Sequence, residues 1–132
     1  MIAFFDTNIY VDLLKGNIEF SDLSSYQGYL IRLSPIVKSE LLRGCKTERA
    51  KKITLSLVEQ LTELPAPTNK MWERAASILA KLPILGQTRL GELQNDVLLA
   101  LTTRQVGAIF ITQDKDFEEI QKHLTFNWIL HT

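Results

Sequence analysis

Four carboxylates that are far apart in the sequence occupy positions from which they could form one cluster: Asp6, Glu40, Asp96 and Asp114. Asp6 follows directly after the apolar residues 2–5, and Asp114 comes shortly after the apolar residues 108–111. Such runs are typical of strands that a parallel sheet buries on both faces, and ligands bind at the carboxyl edge of these sheets. The other two acids lie in predicted helices that can reach the same edge. The long separations exclude one continuous metal-binding loop.

A cluster of this kind predicts a cation site. Two carboxylates about 5 Å apart repel each other by roughly 3 kcal/mol at an effective dielectric constant of about 20. Four of them are therefore unfavourable together unless a cation neutralises them. Ligands that are all oxygen atoms favour Mg²⁺ or Mn²⁺ over zinc. Such an ion can ionise a bound water and neutralise charge on a phosphoryl group.

Each acid also has a purely structural interpretation. Asp6 is a good candidate for a helix N-cap after a strand. Glu40 can pair with Arg43, which lies three residues further along the same predicted helix. Asp96 can cap the start of its helix, and Asp114 belongs to a sequence that is ordinary in turns. The residues alone leave these alternatives open.

Strands and helices alternate along the chain. The predicted strands are residues 2–5, 29–33, 61–64, 108–111 and 126–130. The predicted helices follow residues 6–8, cover 35–44, 48–62, 68–79 and 91–106, and begin again at 116, with a loop at 83–90. This alternation predicts a parallel sheet with helices on both faces. Trp72, Trp128 and the phenylalanines lie in apolar periodic segments and are expected in the core.

The bulk composition predicts one soluble domain over residues 1–132. A hydrophobic share of 45% supplies enough apolar material for one core. No apolar run approaches the roughly 20 residues that a membrane-crossing helix needs. The single cysteine, Cys45, cannot close a disulfide within the chain, and no signal-like segment precedes Asp6. We therefore expect a cytoplasmic protein without a membrane anchor.

The charge pattern limits any binding of nucleic acid to local contacts. The chain has 15 basic and 15 acidic residues and a net charge of zero, so no global positive field surrounds it. Basic residues are concentrated at 38–52, and the candidates for phosphate contact are Lys38, Arg43 and Lys46. A solvated helix face is the simpler interpretation of such a run. Asp12 and Asp22 are interpreted as surface acids.

Four short motifs resemble the PIN-domain nucleases, and among them the VapC-like toxins of toxin–antitoxin pairs. The motifs are Phe-Asp-Thr-Asn at 5–8, Ser-Glu-Leu-Leu-Arg-Gly at 39–44, Asn-Asp-Val-Leu-Leu-Ala at 95–100 and Ile-Thr-Gln-Asp-Lys-Asp-Phe at 111–117. They occur in the order and spacing of the family and span nearly the whole chain. Any one of them is a weak signal, whereas the four together are a strong one.

The resemblance implies a Rossmann-like three-layer α/β fold with a mostly parallel sheet. It also implies endonuclease cleavage of structured RNA with Mg²⁺ or Mn²⁺, a homodimer, and inhibition by a small antitoxin. By position, the implied metal ligands are Asp6, Asp96, Glu40 and Asp114. Thr112 matches a hydroxyl that the family often has beside the site. Asp116 matches a less regular fifth acid, and it can equally be only a helix cap.

Two other functional classes compete with this interpretation. The first is a metal-dependent phosphotransfer domain that uses Asp6 as its nucleophile, since such folds also place an aspartate after the first strand. Haloacid-type phosphatases have a second aspartate two residues later, where this chain has Asn8. The second is a non-catalytic interaction module with the same fold, against which the four intact acids count.

Overall fold

One parallel sheet forms the centre of the structure. The computed structural model describes residues 1–82 and 90–132 of the chain. The sheet has the strand order β3-β2-β1-β4-β5, and neighbouring strands are parallel throughout. The strands are β1 (Ile2–Phe5), β2 (Leu30–Leu33), β3 (Thr62–Glu63), β4 (Ile109–Thr112) and β5 (Trp128–Leu130). The parallel sheet predicted from the alternation of elements is confirmed.

Helices connect consecutive strands and form two groups. They are α1 (Thr7–Lys15), α2 (Pro35–Arg43), α3 (Glu48–Val58), α4 (Asn69–Leu79), α5 (Leu90–Val106) and α6 (Phe117–Gln121). In one group α2 contacts both α1 and α3, and in the other α5 contacts both α4 and α6. The chain crosses the sheet in one direction from β1 to β3 and then in the reverse direction to β5. Right-handed crossovers therefore place the groups on opposite faces, which gives three layers.

The middle of the sheet is held by aromatic packing between β1 and β4. Phe4 and Phe110 are fully buried and opposite each other in the register of the two strands, with ring centroids 5.0 Å apart. Phe117, also fully buried, packs on Phe110 from α6. Burial of each such side chain contributes about 1.5–3 kcal/mol to folding. This packing fixes the ends of β1 and β4 side by side, where the first and last of the clustered acids emerge.

Local structure departs from the predictions at three places. Helix α3 ends at Val58, not at residue 62, because Thr62 pairs with Arg32 and the Leu64 amide donates to the Leu33 carbonyl, so the sheet takes up this segment. A 3₁₀ helix at Phe20–Tyr26 was not predicted. The predicted loop at 83–90 lies outside the described residues, apart from position 90, where α5 begins.

Two aromatic residues expected in the core are exposed. Trp72 is 43% exposed and Phe20 is 70% exposed. The buried residues of α4 are Ala75 and Ile78, and Met71 packs against the core beside them. One residue along a helix is a rotation of about 100°, so Trp72 lies to the side of that face. Among the described residues, no helix has the length and apolar character needed to cross a membrane.

Candidate functional site

Asp6 lies at the junction between β1 and α1. The strand ends at Phe5, and the Asp6 amide donates to the carbonyl of Ile111 on β4 at 2.8 Å. Its side chain caps α1, with Oδ1 accepting from the Thr7 amide at 2.8 Å. Asp6 is only 6% exposed. The N-cap interpretation is therefore correct, and it does not remove Asp6 from the cluster.

Thr112 and Asn8 hold the second oxygen of this carboxylate. The Thr112 hydroxyl, fully buried at the end of β4, donates to Asp6 Oδ2 at 2.7 Å. Asn8 Nδ2 lies 3.3 Å from both Asp6 Oδ2 and Thr112 Oγ1, while Asn8 Oδ1 accepts from the Gln113 amide. Asn8 thus bridges the ends of two strands. The sequence motif at 5–8 contained Asn8, but only Asp6 in it was assigned a role at the site.

Glu40 reaches the site from α2 through a contact with Thr7. Ser34 caps this helix and Pro35 occupies its first turn. The Thr7 hydroxyl donates to Glu40 Oε1 at 2.8 Å and ties the helix to α1. Glu40 and Arg43, both within the described residues, do not form the ion pair that the structural interpretation of Glu40 predicted. Thr7 is a further site residue that the sequence analysis did not assign.

Asp96 comes from the interior of α5. This helix begins at Leu90, so Asp96 is not at its start and the capping interpretation is wrong. The side chain is partly buried, and residues 97–100, which follow it, are almost entirely buried. Because α5 is packed against the sheet and the neighbouring helices, the position of the Asp96 carboxylate is fixed relative to the other acids.

Asp114 belongs to the turn that follows β4. Its amide donates to Thr112 Oγ1 at 3.0 Å, and its own Oδ1 accepts from the Asp116 amide at 2.9 Å. The turn interpretation is thus correct, although the same residue also faces the other acids. Asp116 directly precedes α6, but its side chain does not cap that helix.

The four acids predicted to cluster line one open cavity of about 350 Å³. The other lining residues are Thr7, Asn8, Val11 and Asp12. Asp12, interpreted from the sequence as a surface acid, thus also borders the site, where its Oδ1 accepts from Asn17 Nδ2 at 3.2 Å. The helical spacing of the sequence would have predicted this position of Asp12, since Asp12 lies one turn beyond Asn8 on the same side of α1.

Burial and mutual repulsion act on the two most enclosed carboxylates. Burial raises the pKa of Asp6 to about 6, although the hydrogen bonds from Thr112 and Thr7 lower it. Burial also raises the pKa of Asp96 to about 9, with further increases from the charges of Asp6, Asp114, Glu40 and Asp116. Within the described part of the chain, no ion pair involves any of the four clustered acids. The cavity therefore has an excess of negative charge.

This arrangement fits a hydrated divalent cation. The charged ligands available are all carboxylate oxygens, which suit Mg²⁺ and Mn²⁺. In the described residues, no three acidic, histidine or cysteine side chains are already close enough to enclose one ion. Mg²⁺ keeps several of its waters and binds directly to only one or two carboxylates, so such enclosure is not required. The side chains that could hold it are the four acids of the cavity, Asp6, Glu40, Asp96 and Asp114.

Two of the three predicted phosphate-binding residues share a cleft at the end of α2. Arg43 and Lys46 are exposed and line an open cleft of about 600 Å³ together with Lys51. Lys38 lies apart from this cleft, and its Nζ pairs with Glu63 at 3.5 Å. The structure thus brings Arg43 and Lys46 together but not Lys38.

Comparisons with solved structures show the fold. The structure is similar to one of VapBC2 from Rickettsia felis bound to a DNA fragment from their promoter, with a TM-score of 0.70, 22% identity and coverage of 98% of both chains. It is also similar to VapBC-1 from nontypeable Haemophilus influenzae, with a TM-score of 0.67, 24% identity and coverage of 98% of this chain and 97% of that chain.

Sequence comparison gives the family. No curated protein sequence matches the chain. The family model of the PIN domain, however, matches residues 3–123, a range that contains all four clustered acids. The chain belongs to the PIN domain family.

Proposed function

We propose that the protein is an Mg²⁺- or Mn²⁺-dependent endoribonuclease, the toxin of a toxin–antitoxin pair. The observation that carries this proposal is the convergence of four carboxylates from distant parts of the chain on one cavity. Like charges gathered without balancing cations favour a site that binds a divalent ion and a phosphate together. When bound, such an ion ionises a water and neutralises charge on the phosphoryl group.

The acids of this site differ in how the surrounding residues hold them. Asp6 is fixed by the hydrogen bonds from Thr7 and Thr112 to its two oxygens, and Glu40 is oriented by the Thr7 hydroxyl. Asp96 has the most strongly raised pKa and holds a proton on its carboxyl group near neutral pH. Because a metal ligand must be deprotonated, cation binding releases that proton.

The cleft at the end of α2, the helix that carries Glu40, supplies contacts for the substrate. Arg43 is three residues beyond Glu40 in α2, and the Lys46 ammonium lies in the same cleft. Arginine forms paired hydrogen bonds with phosphate oxygens, and such contacts position a strand without reading its sequence. We therefore assign these two residues to the RNA backbone next to the scissile bond.

The partner that we propose for this chain is based on the two similar structures. The two similar structures described above are of VapBC2 from Rickettsia felis and VapBC-1 from Haemophilus influenzae, which supports an antitoxin partner for this chain. A basic side chain of that partner, inserted among the acids, would replace the cation electrostatically. A homodimer in the cytoplasm completes this proposal.

The phosphotransfer alternative is disfavoured by the surroundings of Asp6. Haloacid-type phosphatases have an acid two residues beyond the nucleophile, and here that position is Asn8. The Asn8 amide group donates to Asp6 Oδ2 and accepts from the Gln113 amide, and a carboxamide does not act as a general acid or base. Asn8 therefore cannot transfer the proton that a phosphotransfer reaction of this type requires.

Cleavage of RNA with and without metal tests the proposal. We expect cleavage with Mg²⁺ or Mn²⁺, no cleavage in EDTA, and products with 5′-phosphate and 3′-hydroxyl ends, because a metal-activated water is the nucleophile. Products with 2′,3′-cyclic phosphates, or activity that EDTA does not reduce, would exclude this mechanism. A purified protein that cuts no RNA with either metal would favour the non-catalytic module.

A further inference from the structure

A third charged cavity lies at the last turn of α5, away from Asp96 in the interior of the helix. It is an open cleft of about 480 Å³ between the first turn of α4 and the last turn of α5. We call it the α4–α5 cleft, and its lining includes Thr68, Lys70, Arg74, Leu101, Arg104 and Gln105. The lining contains no aspartate or glutamate among the described residues. The cleft therefore has the opposite charge to the acid cavity.

The three cations of this cleft come from two helices. Lys70 and Arg74 are four residues apart on α4, so they lie on the same side of that helix, and Arg104 faces them from α5. All three are exposed, and none takes part in an ion pair within the described portion of the chain. Because the net charge of the protein is zero, this positive cluster is a local feature.

We propose that the α4–α5 cleft binds backbone phosphates of a folded RNA, at a distance from the bond that is cut. This inference rests on the proposed ribonuclease function and extends it to the form of the substrate. Guanidinium groups bind phosphate oxygens in pairs, and concave walls concentrate the positive field. Hydroxyl and amide side chains such as Thr68, Asn69 and Gln105, which also line the cleft, are common further donors to phosphate.

The composition of the cleft favours a nucleic acid over a protein segment. Protein interfaces have an apolar centre, often with an aromatic anchor, inside a polar rim. Among the described residues, Met71 and Leu101 are the only large apolar side chains of the lining, and Leu101 is 4% exposed. The remaining groups are charged or form hydrogen bonds, which matches a phosphate backbone.

The position of the cleft requires a folded RNA. Arg104 is eight residues beyond Asp96 on α5, which is roughly 12 Å along the helix axis. Residues 97–103 between them are buried, so no strand can run along the surface of α5 from one site to the other. A short single strand in the acid cavity would not reach the cleft, whereas a folded RNA presents phosphates to both.

The test compares two double variants that each remove two positive charges. Arg74→Gln with Arg104→Gln alters the cleft, and Lys81→Gln with Lys122→Gln, at exposed positions outside it, is the matched control. Binding of bulk transfer RNA is measured by fluorescence anisotropy in EDTA over a range of KCl concentrations. Cleavage of a short single-stranded oligoribonucleotide with Mn²⁺ is measured in parallel.

We expect the cleft variant to bind transfer RNA more weakly and to lower the slope of log affinity against log salt by about one for each phosphate that is no longer bound. The control variant should keep the wild-type slope, and all three proteins should cut the oligoribonucleotide at the same rate. Equal slopes for the cleft and control variants would overturn the inference. So would a cleft variant that binds RNA normally but binds an antitoxin more weakly. Wild-type protein that cuts neither the oligoribonucleotide nor transfer RNA with Mn²⁺ contradicts the proposed function instead.

Discussion

Asp6 and Asp96 face the same cavity, but the protein holds them in different ways. Both oxygens of Asp6 accept hydrogen bonds, and these offset part of the cost of burial, so its pKa rises only to about 6. The carboxyl group of Asp96 accepts no hydrogen bond within the described part of the chain, and its pKa rises to about 9. Hydrogen bonds thus connect the Asp6 side chain to α1 and β4. Among the described residues, the Asp96 side chain is positioned only by the helix α5 that carries it.

This difference gives Asp6 a structural role and Asp96 a purely electrostatic one within the same site. Removal of a hydrogen-bonded group leaves its donors unsatisfied and destabilises the fold. Removal of a carboxyl group that is buried among like charges relieves an unfavourable interaction. The two acids should therefore behave alike in catalysis and oppositely in stability.

The largest expected effect is the loss of RNA cleavage in Asp6→Asn and in Asp96→Asn. Each substitution removes a negative charge from the cation site, and we expect a decrease of at least about 10²-fold in rate with Mn²⁺, since even outer partners of metal sites contribute 10–100-fold. Initial cleavage rates give the measurement. Glu59→Gln, at an exposed acid after α3, is the control and should retain the wild-type rate. Full activity in either aspartate variant would contradict the site.

A smaller effect, a decrease in metal affinity, is expected when Asp6 keeps its charge but loses the hydrogen bond from Thr112. Thr112→Val removes the hydroxyl that donates to Asp6 with little change in shape, and we expect Mn²⁺ affinity to decrease about 10–100-fold. Calorimetric titration with Mn²⁺ measures this. Thr102→Val is the matched control, because Thr102 is also buried but its hydroxyl donates to the Leu98 carbonyl. Equal affinities for the two variants would show that the Thr112 hydroxyl does not orient the acid.

The sign of the stability change distinguishes the two acids most directly. In EDTA, Asp6→Ala removes the cap of α1 and should lower the free energy of unfolding by about 0.5–2 kcal/mol. Asp96→Asn should raise it, because a neutral amide replaces a carboxyl group that folding forces to take up a proton. Urea unfolding monitored by circular dichroism gives both values. Destabilisation by Asp96→Asn would mean that this carboxyl group makes a favourable contact in the metal-free fold.

The raised pKa values of the same two acids also predict a pH dependence of stability without metal. The folded-state pKa values of Asp6 and Asp96 lie above the ordinary value of 3.8, so the folded protein binds more protons than the unfolded chain. The free energy of unfolding should therefore decrease as pH rises from about 4 towards 9. Melting temperatures at pH 5 and pH 8 test this, and Asp96→Asn should reduce the difference. Added Mn²⁺ should stabilise the wild type more at pH 8 than at pH 5, since bound cation displaces the proton.

The sequence predicted those features that depend on local pattern. The apolar runs at 2–5 and 108–111 predicted the central strands, because a strand buried on both faces must be continuously apolar. The acids after them were predicted to meet because the ends of parallel strands share one sheet edge. Asp6 and Asp114 reach that edge as expected.

Features that depend on tertiary contact could not be predicted in this way. Thr7 and Asn8 are ordinary residues for the first turn of a helix, and their roles appear only when α2 and β4 come next to them. Lys38 lies in the same basic run as Arg43, but packing of α2 directs it towards the β3 edge, where Glu63 binds it. Trp72 lies outside the buried face of α4 although the segment is periodic, because periodicity does not fix which flank of a helix the neighbouring helix covers.

The pairing of β1 with β4 also has a consequence for how the protein is made. Ala3 is opposite Ile109 in the register, so β1 is synthesised more than 100 residues before the strand β4 with which it pairs. Contacts between such distant segments form late, since the loop between them must be closed first. Asp6 and Asp114 cannot meet before that pairing exists. A nascent or truncated chain that ends before β4 therefore lacks the complete acid cluster, and the nuclease that we propose would be inactive until β4 and Asp114 have been synthesised.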